Sequence, residues 1–145
     1  MARLLRTDLP DGYFHVTTRG VDGCPIFGDD TDRLRFLGLL REAVARYAWE
    51  VFAFCLMTNH YHLVVATIRA NLSDGLHRLN GVYAQRFNCR HKRTGHLFGD
   101  RFASHVIDSE HHLAAACEYV VQNPVRAGLC EHTEDWPWSA MRAAR

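Results

Sequence analysis

The spacing of apolar positions divides the chain into short strand-like runs and longer helix-like repeats. Short runs of aromatic, β-branched and other apolar residues are typical of strands. One of them follows Pro10-Asp11-Gly12, and two others are separated only by Thr58-Asn59, which predicts a tight hairpin. The predicted strands are residues 13–18, 49–57, 60–67 and 102–107.

Apolar residues three and four positions apart predict three helices. The first begins at Asp30-Thr31-Asp32, whose side chains can cap it, and extends to residue 47. The second covers 71–89, and the third covers 109–123, because Pro124 cannot continue it. The buried face expected for the first helix consists of Leu34, Leu37, Leu40, Val44 and Tyr47.

The order of these elements is β-α-β-β-α-β, followed by one more helix. This order predicts an α+β protein with the ferredoxin-like arrangement, in which an antiparallel sheet carries helices on one face. We expect residues 1–145 to form a single domain, since this length suffices for one hydrophobic core. The fold alone predicts no activity, because many unrelated functions use it.

The composition is that of an ordinary globular domain, with 48% hydrophobic and 23% charged residues. No run is apolar enough for a membrane span or for the core of a signal peptide. The five cysteines are scattered without a C-x-x-C pair, which argues against a disulfide framework or a structural zinc site. We therefore expect a cytoplasmic protein.

Positive charge is concentrated in one segment, although the net charge is only +1. Lys92 is the one lysine among the 17 basic residues, and the arginine guanidinium suits phosphate better than an ammonium does. A local basic patch in segment 86–101 can bind phosphate whatever the total charge, and a solvated loop is the alternative. Its basic residues are Arg86, Arg90, Lys92, Arg93 and Arg101.

Two imidazoles lie two residues apart on the predicted strand 60–67. Side chains on a strand alternate between faces, so His60 and His62 point to one side and Tyr61 points to the other. At a separation of about 7 Å along the strand, two imidazoles can converge on one divalent metal ion. The alternative is a pair of polar residues on the solvated face of an edge strand.

The third helix, capped by Asp108 or Ser109, carries a tyrosine away from its apolar stripe. Tyr119 lies in a polar row with His112 and Asn123. A tyrosine can attack a phosphate that a metal ion polarises, and an amide oxygen from Asn123 with two imidazoles would suit Mg²⁺ or Mn²⁺. An exposed aromatic and a plain helix terminator are the alternatives. The stripe itself consists of Leu113, Cys117, Val120 and Val121.

Five segments in order along nearly the whole chain carry a family resemblance. They are YFHVTTRG (13–20), CLMTNHYHLVV (55–65), GHLF (95–98) with Arg101-Phe102, YVVQNPVRAGL (119–129) and DWPWS (135–139). Together they resemble the REP-associated tyrosine transposases, a branch of the IS200-like superfamily of single-tyrosine HUH transposases.

This resemblance implies a nuclease domain that cleaves and rejoins single-stranded DNA. The nucleophile would be Tyr119, which would form a 5′-phosphotyrosine link and leave a free 3′-hydroxyl, with no need for ATP. His60 and His62 would bind the metal ion, Mg²⁺ or Mn²⁺. Better-known members have a glutamine as third ligand one helical turn after the tyrosine, where this chain has the shorter Asn123.

The resemblance also implies a DNA partner. The family acts on short palindromic repeats that fold into hairpins, which would place the protein with the nucleoid in the cytoplasm. Members act as monomers or as homodimers that exchange the tyrosine helix, and the sequence does not choose between them. The candidate contacts to the DNA backbone are Arg19, Arg86, Arg90, Arg93 and Arg101.

Two other functions would use only part of these residues. A non-catalytic binding module would hold a nucleic-acid hairpin through the arginines and would leave the histidines and Tyr119 without a common task. A hydrolytic metal phosphodiesterase would use His60 and His62 but not the tyrosine. The position of Tyr119 separates these possibilities, because a catalytic tyrosine must lie within a few ångströms of the metal position.

Overall fold

The computed structural model describes residues 11–142, whose centre is a five-stranded antiparallel sheet. The strands are β1 (Gly12–Arg19), β2 (Glu50–Leu56), β3 (His60–Thr67), β4 (Ala103–Ile107) and β5 (Ser139–Met141). The helices are α1 (Asp30–Tyr47), α2 (Leu72–Arg90), α3 (Glu110–Val121) and the short α4 (Asn123–Arg126). The strand order is β4-β1-β3-β2-β5, and the first four strands with α1 and α2 confirm the predicted α+β, β-α-β-β-α-β fold.

The main core lies between the sheet and the helices α1 and α2. Phe14 and Leu63 of the sheet are buried against Phe36 of α1 and Leu76 of α2. The ring of Tyr61 packs on the ring of Phe36, with 4.6 Å between the centroids. Burial of each such side chain contributes about 2 kcal/mol, so this core fixes which face of β3 points inward.

The opposite face of the sheet is covered by α3. Ala116 and Val120 of this helix pack against Cys55 and Val64 of the sheet in a second, smaller apolar cluster. Ser109 caps the helix by accepting a backbone N–H bond, as one of the two predicted caps. The helix that carries the candidate nucleophile therefore lies on the face of the sheet opposite α1 and α2.

The pairing of β1 with β3 decides which polar side chains meet on that face. Thr17 lies opposite His62, and Arg19 lies opposite His60. Residues that face each other across an antiparallel pair point to the same side, and alternation along β1 adds His15 to this group. The sheet thus gathers residues from 45 to 47 positions apart in the sequence.

Most predicted bounds agree with the structure to within two residues, and two details are wrong. Leu34 was expected on the buried face of α1, but it is 61% exposed. The cap of α1 is Asp29, one residue before the predicted segment, and its carboxylate accepts from the backbone N–H of Asp32 at 3.1 Å. The buried residues of α1 are Asp32, Phe36, Leu39, Leu40 and Ala43.

The sequence did not predict β5. This strand has three residues and extends the sheet beyond β2, where Cys55 lies opposite Ser139. A strand of this length has no measurable alternation of apolar and polar residues, so its place follows from tertiary pairing. Within residues 11–142, no helix is both long enough and apolar enough to cross a membrane.

Candidate active site

The two predicted ligands lie side by side on β3, facing α3. The ring centroids of His60 and His62 are 5.0 Å apart. Tyr61 between them is buried on the other face and donates its hydroxyl to Oδ1 of Asn80. The predicted alternation of this strand is confirmed by this geometry.

Each of the two imidazoles is held through its Nδ1 atom. Nδ1 of His60 lies 2.7 Å from Oδ1 of Asn59, a carbonyl oxygen that can only accept, so this nitrogen carries the proton. Nδ1 of His62 lies 3.0 Å from Nε2 of His15 and 3.0 Å from Oγ1 of Thr17. In the part of the chain that the structure describes, Nε2 of both rings has no hydrogen-bond partner, which leaves these atoms to bind a ligand.

Both imidazoles are held in their neutral form at neutral pH. Burial lowers the pKa of His62 to about 3, with smaller contributions from the neighbouring His60 and His15 and from Arg19 and Arg126. Burial also lowers the pKa of His60 to about 4, assisted by Arg19. A neutral imidazole is the form that binds a metal ion.

Tyr119 lies on the same face of the sheet as the histidines. Its ring centroid is 6.3 Å from that of His62 and 5.8 Å from that of His15. The side chain is 51% exposed, whereas Val120 beside it is fully buried, so the tyrosine stands off the apolar stripe of α3, as predicted. A single chain therefore brings this hydroxyl-bearing ring to the histidine pair without a partner.

An arginine that the sequence reasoning did not single out covers the tyrosine. The guanidinium carbon of Arg126 lies 3.9 Å from the centroid of the Tyr119 ring. Nη2 of the same arginine donates to the backbone carbonyl of Tyr119 at 2.7 Å. A cation over an aromatic face is stabilised by the ring quadrupole, so Arg126 restricts where the ring of Tyr119 can lie.

Asn123 is the first residue of α4 and follows Tyr119 by one helical turn. It is half-buried, and its side-chain amide makes no hydrogen bond with any described residue. Within residues 11–142, no three His, Cys, Asp or Glu side chains group together as a metal site. A metal ion here would therefore depend on the two imidazoles and on oxygen ligands such as the Asn123 amide, which stays a prediction.

Two of the five predicted DNA-contacting arginines lie next to this site. Arg19 and Arg101 line one cleft of about 470 Å³ together with Gly99 and Thr17. Thr17 also contacts His62, so the cleft adjoins the histidine pair. Arg19 and Arg101 therefore lie beside the candidate site.

The other three arginines are not brought to this cleft. Arg90 is bound at 2.7 Å to Asp29 and at 2.8 Å to the buried Asp32, which ties the end of α2 to the start of α1. Arg93 donates to Oδ1 of Asn88, and Arg86 lines a separate groove between α1 and α2. None of these three arginines lines the cleft of Arg19 and Arg101, and the assignment of all five to DNA stays a prediction.

Sequence reasoning missed His15, Thr17 and Arg126 as members of the site. His15 and Thr17 alternate on the first predicted strand, so a common face was visible in the sequence. The pairing of β1 with β3, which aims that face at His62, was not visible. Arg126 lies seven residues after Tyr119, and this helical spacing is the signal that would have indicated it.

Comparison with known proteins supports one family. The family model described as "Transposase IS200 like" matches residues 10–123. A curated protein of Haemophilus influenzae, "Putative REP-associated tyrosine transposase", is 28% identical over an alignment of 116 residues, and the match covers 72% of this chain and 66% of that protein. The chain thus spans slightly less than two thirds of the length of this relative.

A solved structure shows the same fold. It is titled "Structure of the REP associates tyrosine transposase bound to a REP hairpin" and superposes with a TM-score of 0.76 at 18% identity, covering 96% of this chain and 82% of that one. At this identity the likeness concerns the fold. With the family model matching more than three quarters of its length, the chain belongs to the family of IS200-like transposases.

Proposed function

We propose that this transposase is a metal-dependent endonuclease that cleaves and rejoins single-stranded DNA at hairpin-forming repeats through Tyr119. The observation that carries this proposal is the position of the Tyr119 ring, 6.3 Å from the ring of His62 in the same chain. A non-catalytic binding module would have no reason to hold a half-exposed tyrosine against a pair of neutral imidazoles. In our proposal the tyrosine acts on the site of its own chain.

The chemistry is an exchange of one phosphodiester bond for another. The Tyr119 oxygen attacks the phosphorus and loses its proton, and the bond from phosphorus to the 3′-oxygen breaks. The departing 3′-oxygen takes up a proton, and the phosphate remains on the tyrosine as a 5′ link. Attack by a 3′-hydroxyl on this link reverses the sequence and rejoins a strand without ATP.

The residues around Tyr119 divide the remaining tasks. His60 and His62, with Asn123, would hold the Mg²⁺ or Mn²⁺ ion, and the Nε2 atoms of the two histidines, which bond to no residue of the described range, fit this role. When bound, the ion supplies Lewis-acid polarisation of the scissile phosphate. Arg126 holds the ring of Tyr119 in place from its outer face.

The DNA would enter beside the histidines. Arg19 and Arg101 in the adjoining cleft would contact the phosphates of the strand and set its register without reading its bases. A hairpin as the structured part of the substrate is suggested by the related structure, whose title names a REP hairpin. Arg86, Arg90 and Arg93 would then contribute to the general attraction for DNA, Arg90 less because two carboxylates already bind it.

The test uses single-stranded hairpin oligonucleotides labelled at either end, with Mg²⁺ or Mn²⁺. Wild type should yield a covalent protein band from the 3′-labelled strand and a free fragment from the 5′-labelled strand. Tyr119→Phe should yield neither. The matched control is Tyr13→Phe, since Tyr13 is 43% exposed on β1 and should tolerate the same loss of a hydroxyl.

Two outcomes would contradict the proposal. Metal-dependent cleavage that survives Tyr119→Phe would indicate a hydrolytic phosphodiesterase. Tight hairpin binding by wild type, with neither cleavage nor adduct for any flanking sequence in a randomised library, would indicate a binding module.

A further inference from the structure

We infer that His15 and Thr17 are positioning residues that fix the tautomer of His62 and so aim its Nε2 lone pair at the metal position. This inference rests on the proposed function for its purpose, but its geometry is independent of it. Nδ1 of His62 lies 3.0 Å from both Nε2 of His15 and Oγ1 of Thr17. Neither contact involves Nε2, the other ring nitrogen of His62.

A neutral imidazole has two forms. One ring nitrogen carries the proton and donates, while the other has a lone pair and can bind a metal ion. If Nδ1 of His62 donates to His15 and Thr17, Nε2 keeps its lone pair and is a competent ligand. If the proton is on Nε2, that atom cannot bind metal until the proton leaves.

In the inferred arrangement Nδ1 of His62 donates and its two neighbours accept. The Thr17 hydroxyl oxygen can accept, and Nε2 of His15 can accept when the proton of His15 is on its Nδ1. The neighbouring His60 also carries its proton on Nδ1, because the Asn59 carbonyl oxygen beside that nitrogen can only accept a hydrogen bond. Both candidate ligands would then present Nε2, which is what two imidazoles converging on one ion require.

The fold makes this arrangement specific. Residues of β1 are paired with β3 along its whole length, so His15 and Thr17 are supported on a central strand of the sheet. His15 also contacts the ring of Tyr119 edge-on, at 5.8 Å between centroids. His15 therefore touches both a candidate ligand, His62, and the candidate nucleophile.

The experiment measures the tautomer directly in the metal-free protein, by long-range ¹H–¹⁵N correlation spectra of the histidine rings. In wild type the His62 proton should be on Nδ1. The variants are His15→Phe, which removes the acceptor, His15→Gln, whose amide oxygen can replace it, and Thr17→Val. His105→Phe is the matched control, because this ring lies 6.3 Å from that of His15 and makes no hydrogen bond to His62.

The expected result is a graded one. His15→Phe and Thr17→Val should each move part of the His62 population to the Nε2–H form. Each should also weaken Mn²⁺ binding about 10- to 100-fold, as measured in the absence of DNA from the signal of the free Mn²⁺ ion. His15→Gln should restore much of the affinity, and His105→Phe should match wild type. A His62 proton on Nε2 in wild type would overturn the inference, as would unchanged spectra and Mn²⁺ affinity in both His15→Phe and Thr17→Val.

These readouts stand apart from DNA cleavage. If wild type forms no covalent adduct but the His62 tautomer changes when His15 is substituted, the proposed function fails and the inference holds. If the covalent adduct forms but the His62 tautomer is unchanged in the His15 and Thr17 variants, the inference fails and the proposed function holds. Should His15→Phe not fold, the wild-type spectrum and Thr17→Val still decide the question.

Discussion

Acid should lower the free energy of unfolding of the metal-free protein, because His62 is buried and is protonated less readily in the folded state than in the unfolded chain. This ring is 4% exposed, and burial lowers its pKa from 6.5 to about 3. The folded state thus binds this proton more weakly than the unfolded chain does. Unfolding takes up a proton between the two pKa values, so the free energy of unfolding decreases as the pH falls below 6.5.

The size of the effect follows from the two pKa values. At pH 5 the unfolded ring is almost fully protonated and the folded ring is not, which costs about 2 kcal/mol relative to pH 7. His15 and His60, whose pKa values burial lowers to about 4, add to the loss in the same direction. Both are half-buried, so solvent screening makes their contributions smaller.

The assay is urea unfolding at pH 7 and pH 5 in the presence of a chelator. Wild type should lose about 2 kcal/mol more between the two pH values than His62→Gln, which cannot take up the proton. His77→Gln, at an exposed position on α2, should follow wild type. Equal losses in wild type and His62→Gln would contradict this prediction, because the folded protein would then bear no cost for protonating His62.

Three further predictions concern other contacts. Gly75→Ala should destabilise the protein by about 1–3 kcal/mol, because the added Cβ would lie 2.1 Å from the Trp49 ring. Gly81→Ala on the same helix is the control: its Cβ meets open space, so it should stabilise the protein by about 0.5–1 kcal/mol in the same urea titration. Asp32→Asn should cost about 2 kcal/mol, since this buried carboxylate binds an arginine, a histidine and a backbone N–H; thermal unfolding showing no loss would contradict this. Arg126→Gln should slow adduct formation about fivefold at saturating DNA by freeing the nucleophile's ring, as a single-turnover time course would show.

The sequence sufficed for the features that depend on local periodicity. Alternation along one strand placed His60 and His62 on a common face, and a helical wheel placed Tyr119 off the buried stripe of α3. Both follow from backbone geometry within a single element, so neither needs knowledge of what packs against it. The order of elements then specified the ferredoxin-like fold.

The features that the sequence did not predict depend on contacts between elements. One position of the α1 face was misjudged: Leu34 lies about 160° around the helix from Phe36, and the sheet packs on the side of Phe36, whereas the other four predicted positions are buried or half-buried. Arg90 looked free in a basic segment, but Asp29 and Asp32, 61 and 58 residues earlier, bind it. The place of His15 beside His62 likewise depends on strand pairing, which no local pattern encodes.

Identifying the residue that carries DNA would decide whether Tyr119 is the nucleophile. Wild type would be incubated with a hairpin oligonucleotide and Mn²⁺, digested with nuclease and trypsin, and examined by tandem mass spectrometry. The tryptic peptide 102–126 contains a single tyrosine, Tyr119, and we expect a 5′-nucleotide phosphate on that residue. A nucleotide on any other peptide, or efficient cleavage with no modified peptide, would contradict it.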